Sequence, residues 1–481
     1  MKRVLLILVD GLRPDVAEAA LARGELPALA ALTATGSTTR GVTVFPSTTG
    51  VAYLPFLTGC TPGRCNIPSI RWLERTRYAG DWWRERELVR SYCGYQAGRL
   101  DGDITPGVRT IFELVPESLG IFTPVARGLP PERNPARTAR QFWGALSHVA
   151  EWHQPGDDAV RRHLLRGIEQ GWRFIFAQFP AVDGYTHQSS PEGPKVLRAL
   201  RQVDATLAEV QAQLRARGEL EDTLLILVSD HGASTVHSHL DLADWFRAQG
   251  VRTMSHPVIW ERNPVAAVMV AGNGSAMVYA RPGTRRVARH TLAELRDTTG
   301  FGVGHDLIAA LLQEPAVAFV AAEERPGAVR VANQAGEATI TQDEDGRIQY
   351  TRDSGDPLEI GRDLTESPDG WLATTWDGAY PDACVQLLDQ FAAPRTGDLL
   401  VIGREGHDFR RRFEVPEHKA GHGSLIRPHM QVPIWSNVPI PEGRLRTVDL
   451  FPSMLQWLGV AVPEGIDGQL RWQPGLTATV A

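Results

Sequence analysis

A chain of 481 residues, 43% hydrophobic and 22% charged, has the apolar content for a large buried core and reads as one big α/β domain carrying an insertion. Its formal net charge of −6 argues against the broad basic field with which proteins hold nucleic-acid polymers or anionic membranes, and leaves room only for a local cationic pocket. Cys60, Cys65, Cys93 and Cys384 lack the paired CxxC spacing of a zinc knuckle; they read as free or buried thiols, with a Cys60–Cys65 bridge as the alternative.

The first element is the apolar run 4–9, which is shorter than a signal-peptide core, and no other stretch approaches the roughly 18 apolar residues of a membrane span. The expectation is a cytoplasmic protein with no membrane partner; the pattern sets no oligomeric state. The run stops at Asp10-Gly11, a carboxylate followed by a residue that turns sharply. That suits a metal ligand, and equally a turn or helix cap. Next comes Phe45-Pro46-Ser47-Thr48-Thr49-Gly50, a loop delivering hydroxyls to the start of a helix, where backbone N–H groups favour an anion; an ordinary Ser/Thr cap has the same appearance. Aromatics then cluster at Trp72, Tyr78, Trp82, Trp83, Tyr92 and Tyr95, either lining a pocket or packing a subdomain.

The runs 174–179, 224–228 and 399–402 lack alternation and read, like 4–9, as strands covered on both faces, as in a parallel sheet. After the first of them Asp183 and His187 stand four residues apart, on one face of a helical turn, where they suit a shared divalent ion or a local hydrogen bond. Val196, Leu200, Val203, Leu207, Val210 and Leu214 form one helical stripe. At the end of the run 224–228, Asp230 and His231 are adjacent where burial without partners costs several kcal/mol, and a metal is the better way to satisfy them. Between 242 and 394 short alternating segments with turn pairs Asn273-Gly274 and Asp345-Gly346 predict hairpins in an inserted α+β cap. The core, 1–241, resumes over 395–481 and includes His418-Lys419-Ala420-Gly421-His422-Gly423-Ser424, whose glycines fit close approach of backbone to a ligand. His422 is the chosen ligand, with His237, His239, His407, His418 and His429 ranked below it. A helix follows over 450–458. The alternation of strands and helices predicts a doubly wound, mostly parallel sheet sandwiched by helices, with its site beyond the carboxyl ends of the strands.

Taken in order, Asp10, Thr49, Asp183 with His187, Asp230 with His231, and His422 resemble the metal and nucleophile set of the nucleotide pyrophosphatase/phosphodiesterase family within the alkaline phosphatase superfamily. The resemblance covers the first 240 or so residues and the part after about 395, including the closing Thr447-Val448-Asp449 and Ile466-Asp467-Gly468. It implies a metal-dependent hydrolase of a small-molecule phosphoester, with two divalent ions, zinc or alternatively manganese. One would be held by Asp183, His187 and His422, the other by Asp10, Asp230 and His231 with the Thr49 oxygen. Thr49 would attack phosphorus and form a phosphothreonine that water then hydrolyses. The chain departs from the family where an Asn about twenty residues beyond the nucleophile binds a phosphoryl oxygen; Asn66 and Arg71 are the candidates here. It departs again where Gly50-Val51-Ala52-Tyr53 replaces the usual Phe-Pro-Asn-His, which leaves nucleotide specificity open. A phosphonate hydrolase or a cofactor-independent phosphomutase, using Ser47 in place of Thr49, is the competing enzyme reading, and a noncatalytic metal-binding relative is the third.

Overall fold

A six- or seven-residue apolar run without alternation has two faces to bury, and the inner strands of a sheet are where both are covered. The computed structural model, which describes residues 1–135, 152–410, 417–441 and 443–474, places Arg3–Val9 at such a position, buried along its length. It pairs in parallel with Phe174–Phe179 on one side and Thr223–Val228 on the other, Val4 standing opposite Phe174 and Leu224. The full order of this seven-stranded sheet is Leu445–Arg446, Ser37–Val42, Gln431–Ser436, Thr223–Val228, Arg3–Val9, Phe174–Phe179 and Ser118–Ile121. It is mostly parallel; Gln431–Ser436 runs antiparallel to both its neighbours.

Side chains of successive residues leave a strand on opposite faces, and the core divides accordingly. Leu5, Ile7 and Val9 meet the helices Pro14–Ala22, Pro27–Thr35, Gln154–Gln170 and Pro194–Ala216. The last of these carries the stripe from Val196 to Leu214, every member of it buried. Val4, Leu6 and Leu8 face the other way, into a cluster with Leu54, Phe56, Leu450, Phe451 and Met454. The sequence expectation of an α/β sandwich is met.

Residues from 253 onward build a second, nine-stranded sheet, antiparallel except at one edge. The turn pairs sit as expected, Asn273-Gly274 between Ala266–Ala271 and Ser275–Ala280, and Asp345-Gly346 between Gly336–Gln342 and Ile348–Ser354. One strand is placed differently from the sequence reading. Leu399–Gly403, expected in the parallel sheet, pairs antiparallel with Ser275–Ala280 and Val317–Arg325 in the centre of the second sheet. A fully buried run is equally apolar in either surrounding, so its composition cannot name its sheet.

Candidate metal centre and nucleophile

Three adjacent parallel strands each have an acid within four residues of their carboxyl ends. Asp10 follows Arg3–Val9; Asp230 and His231 follow Thr223–Val228; and the helix Ala181–Gln188, which carries Asp183 and His187, follows Phe174–Phe179. The fourth contribution comes from far along the chain. His422 is clamped by the hairpin turn of the second sheet, its N–H donating to the Gly272 carbonyl and its carbonyl accepting from Gly274 N–H, at 3.0 and 2.7 Å. The ring of His422 stacks on that of His231, 3.9 Å between centroids.

All three histidines are fixed through Nδ1 to backbone carbonyls: His187 to Ala420 at 2.8 Å, His231 to Gly232 at 3.0 Å and His422 to Ser47 at 3.0 Å. A carbonyl oxygen only accepts, so each neutral ring carries its proton on Nδ1 and turns the Nε2 lone pair inward. Those Nε2 atoms meet carboxylates: His187 to Asp183 at 3.2 Å, His231 to Asp230 at 3.3 Å and to Asp10 at 3.4 Å, and His422 to Asp183 at 4.0 Å. Two sets of ligand atoms lie within 4.8 Å of one another, Asp183 with His187 and His422, and Asp10 with Asp183 and His231. Asp183 thus stands between the two, where the resemblance had assigned it to one.

The electrostatics call for a cation. Burial, then the charges of Asp230 and Asp183, push the Asp10 carboxyl well above the usual carboxylate range. Burial and Asp183 push Asp230 up to about 8. Burial also opposes the charge on Asp183, but His187, His422 and His231 in their protonated forms outweigh it and hold that group below its ordinary range, so a positive charge at this point is favoured whether a proton or a metal brings it. Burial first, then His231, keeps His422 well below the usual imidazole range, as a neutral ligand. Asp183 Oδ1 and Asp230 Oδ2 are buried without a hydrogen-bond donor among the described residues, a costly state for a carboxylate unless a metal takes it up. The donor set of carboxylates and neutral imidazoles fits a divalent ion of the zinc or manganese kind.

Thr49 ends the loop that leads into the helical turns Val51–Tyr53 and Leu54–Thr58. Its Oγ1 lies 3.2 Å from Asp10 Oδ1 and 3.1 Å from His231 Nε2. Ser47, the alternative nucleophile, is fully buried and donates to the Ser424 carbonyl at 2.9 Å. Asn66 is occupied elsewhere: it ends the short helix Pro62–Cys65 in the left-handed conformation and accepts from Arg395 N–H. Arg71 is buried, donating to the Val270 carbonyl at 2.9 Å and to Cys93 Sγ at 3.3 Å. Among the lower-ranked histidines, His418 stacks on His187 at 4.2 Å. His429 is instead tied to Ser234 and Ser424. Trp72, Tyr78 and Tyr92 pack inside, with Trp72 Nε1 donating to the Tyr92 hydroxyl, whereas Trp83 is exposed; the side chain of Tyr95 lies outside the described residues. Cys60 and Cys65 are buried free thiols.

Three contributors escaped the sequence reading. Gln178 Nε2 donates to Asp10 Oδ2 at 2.5 Å, and Tyr53 OH to the same atom at 3.4 Å. Ser229 Oγ accepts from Leu12 N–H and donates to the His231 carbonyl, tying two of the strand ends together. Gln178 alone left a signal, as the one polar residue in the strand Phe174–Phe179.

A doubly wound sandwich whose strand ends deliver these acids and imidazoles is the framework that the resemblance to the alkaline phosphatase superfamily implies. Within that class, the chain belongs to the type I phosphodiesterase / nucleotide pyrophosphatase family, the family's model matching residues 4–425. The same fold is seen in the phosphonoacetate hydrolase of Sinorhizobium meliloti 1021 in complex with phosphonoacetate (14% identity, 95% of this chain and 96% of that one, TM-score 0.56). It is seen too in an inactive murine ectonucleotide pyrophosphatase / phosphodiesterase 5 in complex with AMP (12%, 98% and 98%, 0.56) and in a mutant of the alkaline phosphatase PafA (13%, 98% and 98%, 0.59). The curated relatives that match in sequence do so over 11% and 10% of their own length.

Proposed function

We propose that this chain hydrolyses a small-molecule phosphodiester or phosphomonoester by way of a phosphothreonine formed on Thr49, with two divalent ions, zinc in the first instance. The observation that carries this reading is a triangle of acceptors. Asp10 Oδ1, His231 Nε2 and Thr49 Oγ1 stand 3.1 to 3.4 Å apart, and with Nδ1 holding the His231 proton and Asp10 in the carboxylate form that binds a cation, only the hydroxyl hydrogen is shared among them. Three lone-pair atoms so close with one proton have the geometry of ligands awaiting a cation.

Asp183, His187 and His422 would hold one ion, and Asp10, Asp230 and His231 the other. When bound, the two ions supply positive charge that acidifies the nucleophile's hydroxyl and stabilises the leaving oxygen. The chain's own residues do the rest. Thr49 supplies the attacking oxygen, positioned by the loop before Val51–Tyr53. Gln178 and Tyr53 orient Asp10 through its second oxygen, and the Nδ1 anchors keep three imidazoles in the one tautomer that presents Nε2. The buried setting of Asp10 and Asp230 keeps bulk water away from the charges.

Hydrolysis of bis-p-nitrophenyl phosphate and p-nitrophenyl phosphate by the zinc-loaded protein tests the proposal. Thr49→Ala should lose about 10³-fold or more in turnover while binding zinc nearly as well, and Ser47→Ala should keep most of its activity. Retained turnover in Thr49→Ala with loss in Ser47→Ala would transfer the role to Ser47. The ratio of the two rates decides between diester and monoester.

A further inference from the structure

A polar cavity lies away from the triangle of Thr49, among the helices that cover the seven-stranded sheet. It has a volume of about 200 Å³ and lies between Gln154–Gln170 and Pro194–Ala216, with Asp157, Asp158 and Arg161 on one wall and Gln202, Thr206 and Glu209 on the other. Asp157 is only 3% exposed. Its Oδ1 accepts from Ala181 N–H at 3.1 Å, while its Oδ2 is buried without any donor. On the facing helix, Gln202 Oε1 is likewise buried and without a donor. The Thr206 hydroxyl donates to the Gln202 carbonyl at 3.0 Å, which leaves its lone pairs to accept.

Two unsatisfied oxygens on facing walls of one cavity need a positive partner, and the cationic side chain among the lining residues is paired elsewhere. Arg161 gives both Nε and Nη2 to Glu209, at 2.8 and 2.5 Å. Three carboxylates therefore face one guanidinium. Burial, with Asp158 and Asp10 adding to it, pushes the Asp157 carboxyl up to about 8, so that it keeps its proton until a cation takes the proton's place. The donors are all oxygen, with no histidine or cysteine among the lining residues. Such a set selects a hard cation, and a roomy cavity in which water completes the shell suits calcium's flexible coordination better than magnesium's strict octahedron.

We propose that this cavity is a calcium-type cation site, with Asp157 Oδ2 and Gln202 Oε1 as its inner ligands and Thr206 and Asp158 supporting it. Its consequence reaches the metal centre through one hydrogen bond. Asp157 holds Ala181, the first residue of the helix that carries Asp183 and His187, so an ion pinning Asp157 fixes the start of the helix that presents two zinc ligands.

The test uses the full-length, zinc-loaded protein, titrated with calcium chloride and separately with magnesium chloride, with bound metal counted after equilibrium dialysis and melting followed by circular dichroism. Wild type should take up one calcium beyond its zinc and melt at a higher temperature, with magnesium weaker. Asp157→Asn and Gln202→Leu should each bind calcium at least about tenfold more weakly and lose the melting shift, zinc content being unchanged. Asp183→Asn, altered at the zinc centre, should keep it. Calcium bound as tightly by Gln202→Leu and Asp157→Asn as by wild type, or lost only in Asp183→Asn, would overturn the proposal. So would a wild type that binds no calcium at millimolar concentration, which would leave the cavity to water.

Discussion

Gly11 has no side chain, and Asp183 occupies the space one would need. A Cβ built there falls 2.7 Å from Asp183 Oδ1, and the backbone φ of +69° is one that residues with a Cβ rarely adopt. Gly11→Ala should displace that carboxylate, lower zinc content and cost about 10²-fold in turnover, the usual effect of a misplacement of about 1 Å; metal analysis beside the nitrophenyl assay checks both. The same crowding explains what could be read in advance. Asp230 and His231 stood out because charge at the end of an apolar strand demands a partner, whereas Asp10 read equally as a turn or cap and Asp183 with His187 equally as a local hydrogen bond, and only their order along the chain grouped them. His422 was legible from its flanking glycines, one of which, Gly423, sits at φ +91° against the Ala271 carbonyl. Tyr53 was not, because it belongs to an apolar helical stretch and shows its role only through the hydroxyl's distance to Asp10.

Among the elements, the helix Pro194–Ala216 carries the clearest sequence signature and a measurable share of stability. Leu207 is 1% exposed in the middle of its buried stripe, so Leu207→Ala should cost about 2–5 kcal/mol, read as a lower urea midpoint with unchanged slope. Leu399–Gly403 marks the limit of such reading, since strand partners are chosen by topology that the run itself does not encode. The helix Ala383–Ala392 supplies a pH test. Its Asp389 is raised to about 7 by burial, with Asp467 adding to it, although Thr61 and Gly63 donate to it. A carboxyl whose folded pKa exceeds its unfolded value of 3.8 binds its proton more tightly when folded. Its stabilising contribution is whole below about 4 and is lost as pH rises through about 7. The stability of wild type relative to Asp389→Asn should therefore decline between pH 4 and 7 and level off above, in parallel melts across that range.

For the molecule as a whole, the candidate metal centre joins both sheets: Asp10, Asp183 and Asp230 come from the ends of one, and His422 is held by the Gly272–Gly274 turn of the other. Removing zinc with a chelator should lower the melting temperature by several degrees, and adding zinc back should restore it. A ligand at 1,000 times its dissociation constant contributes about 4 kcal/mol to the folded state. An unchanged melt on chelation, with zinc shown to have left, would mean that the sheets are joined by their apolar contacts alone.

The place of Gln431–Ser436, inserted between Ser37–Val42 and Thr223–Val228, has a consequence for biosynthesis. Val42 pairs with Gln431, so Ser37–Val42 leaves the ribosome about 390 residues ahead of its partner. At about 5–20 residues per second that is roughly 20–80 s, during which its edge, and that of Thr223–Val228 for the latter half of the wait, lack their final neighbour. Nascent chains of this protein should be clients for whatever factor shields open sheet edges, and synthesis stalled before residue 431 should yield an aggregating product with most of its candidate metal ligands already made.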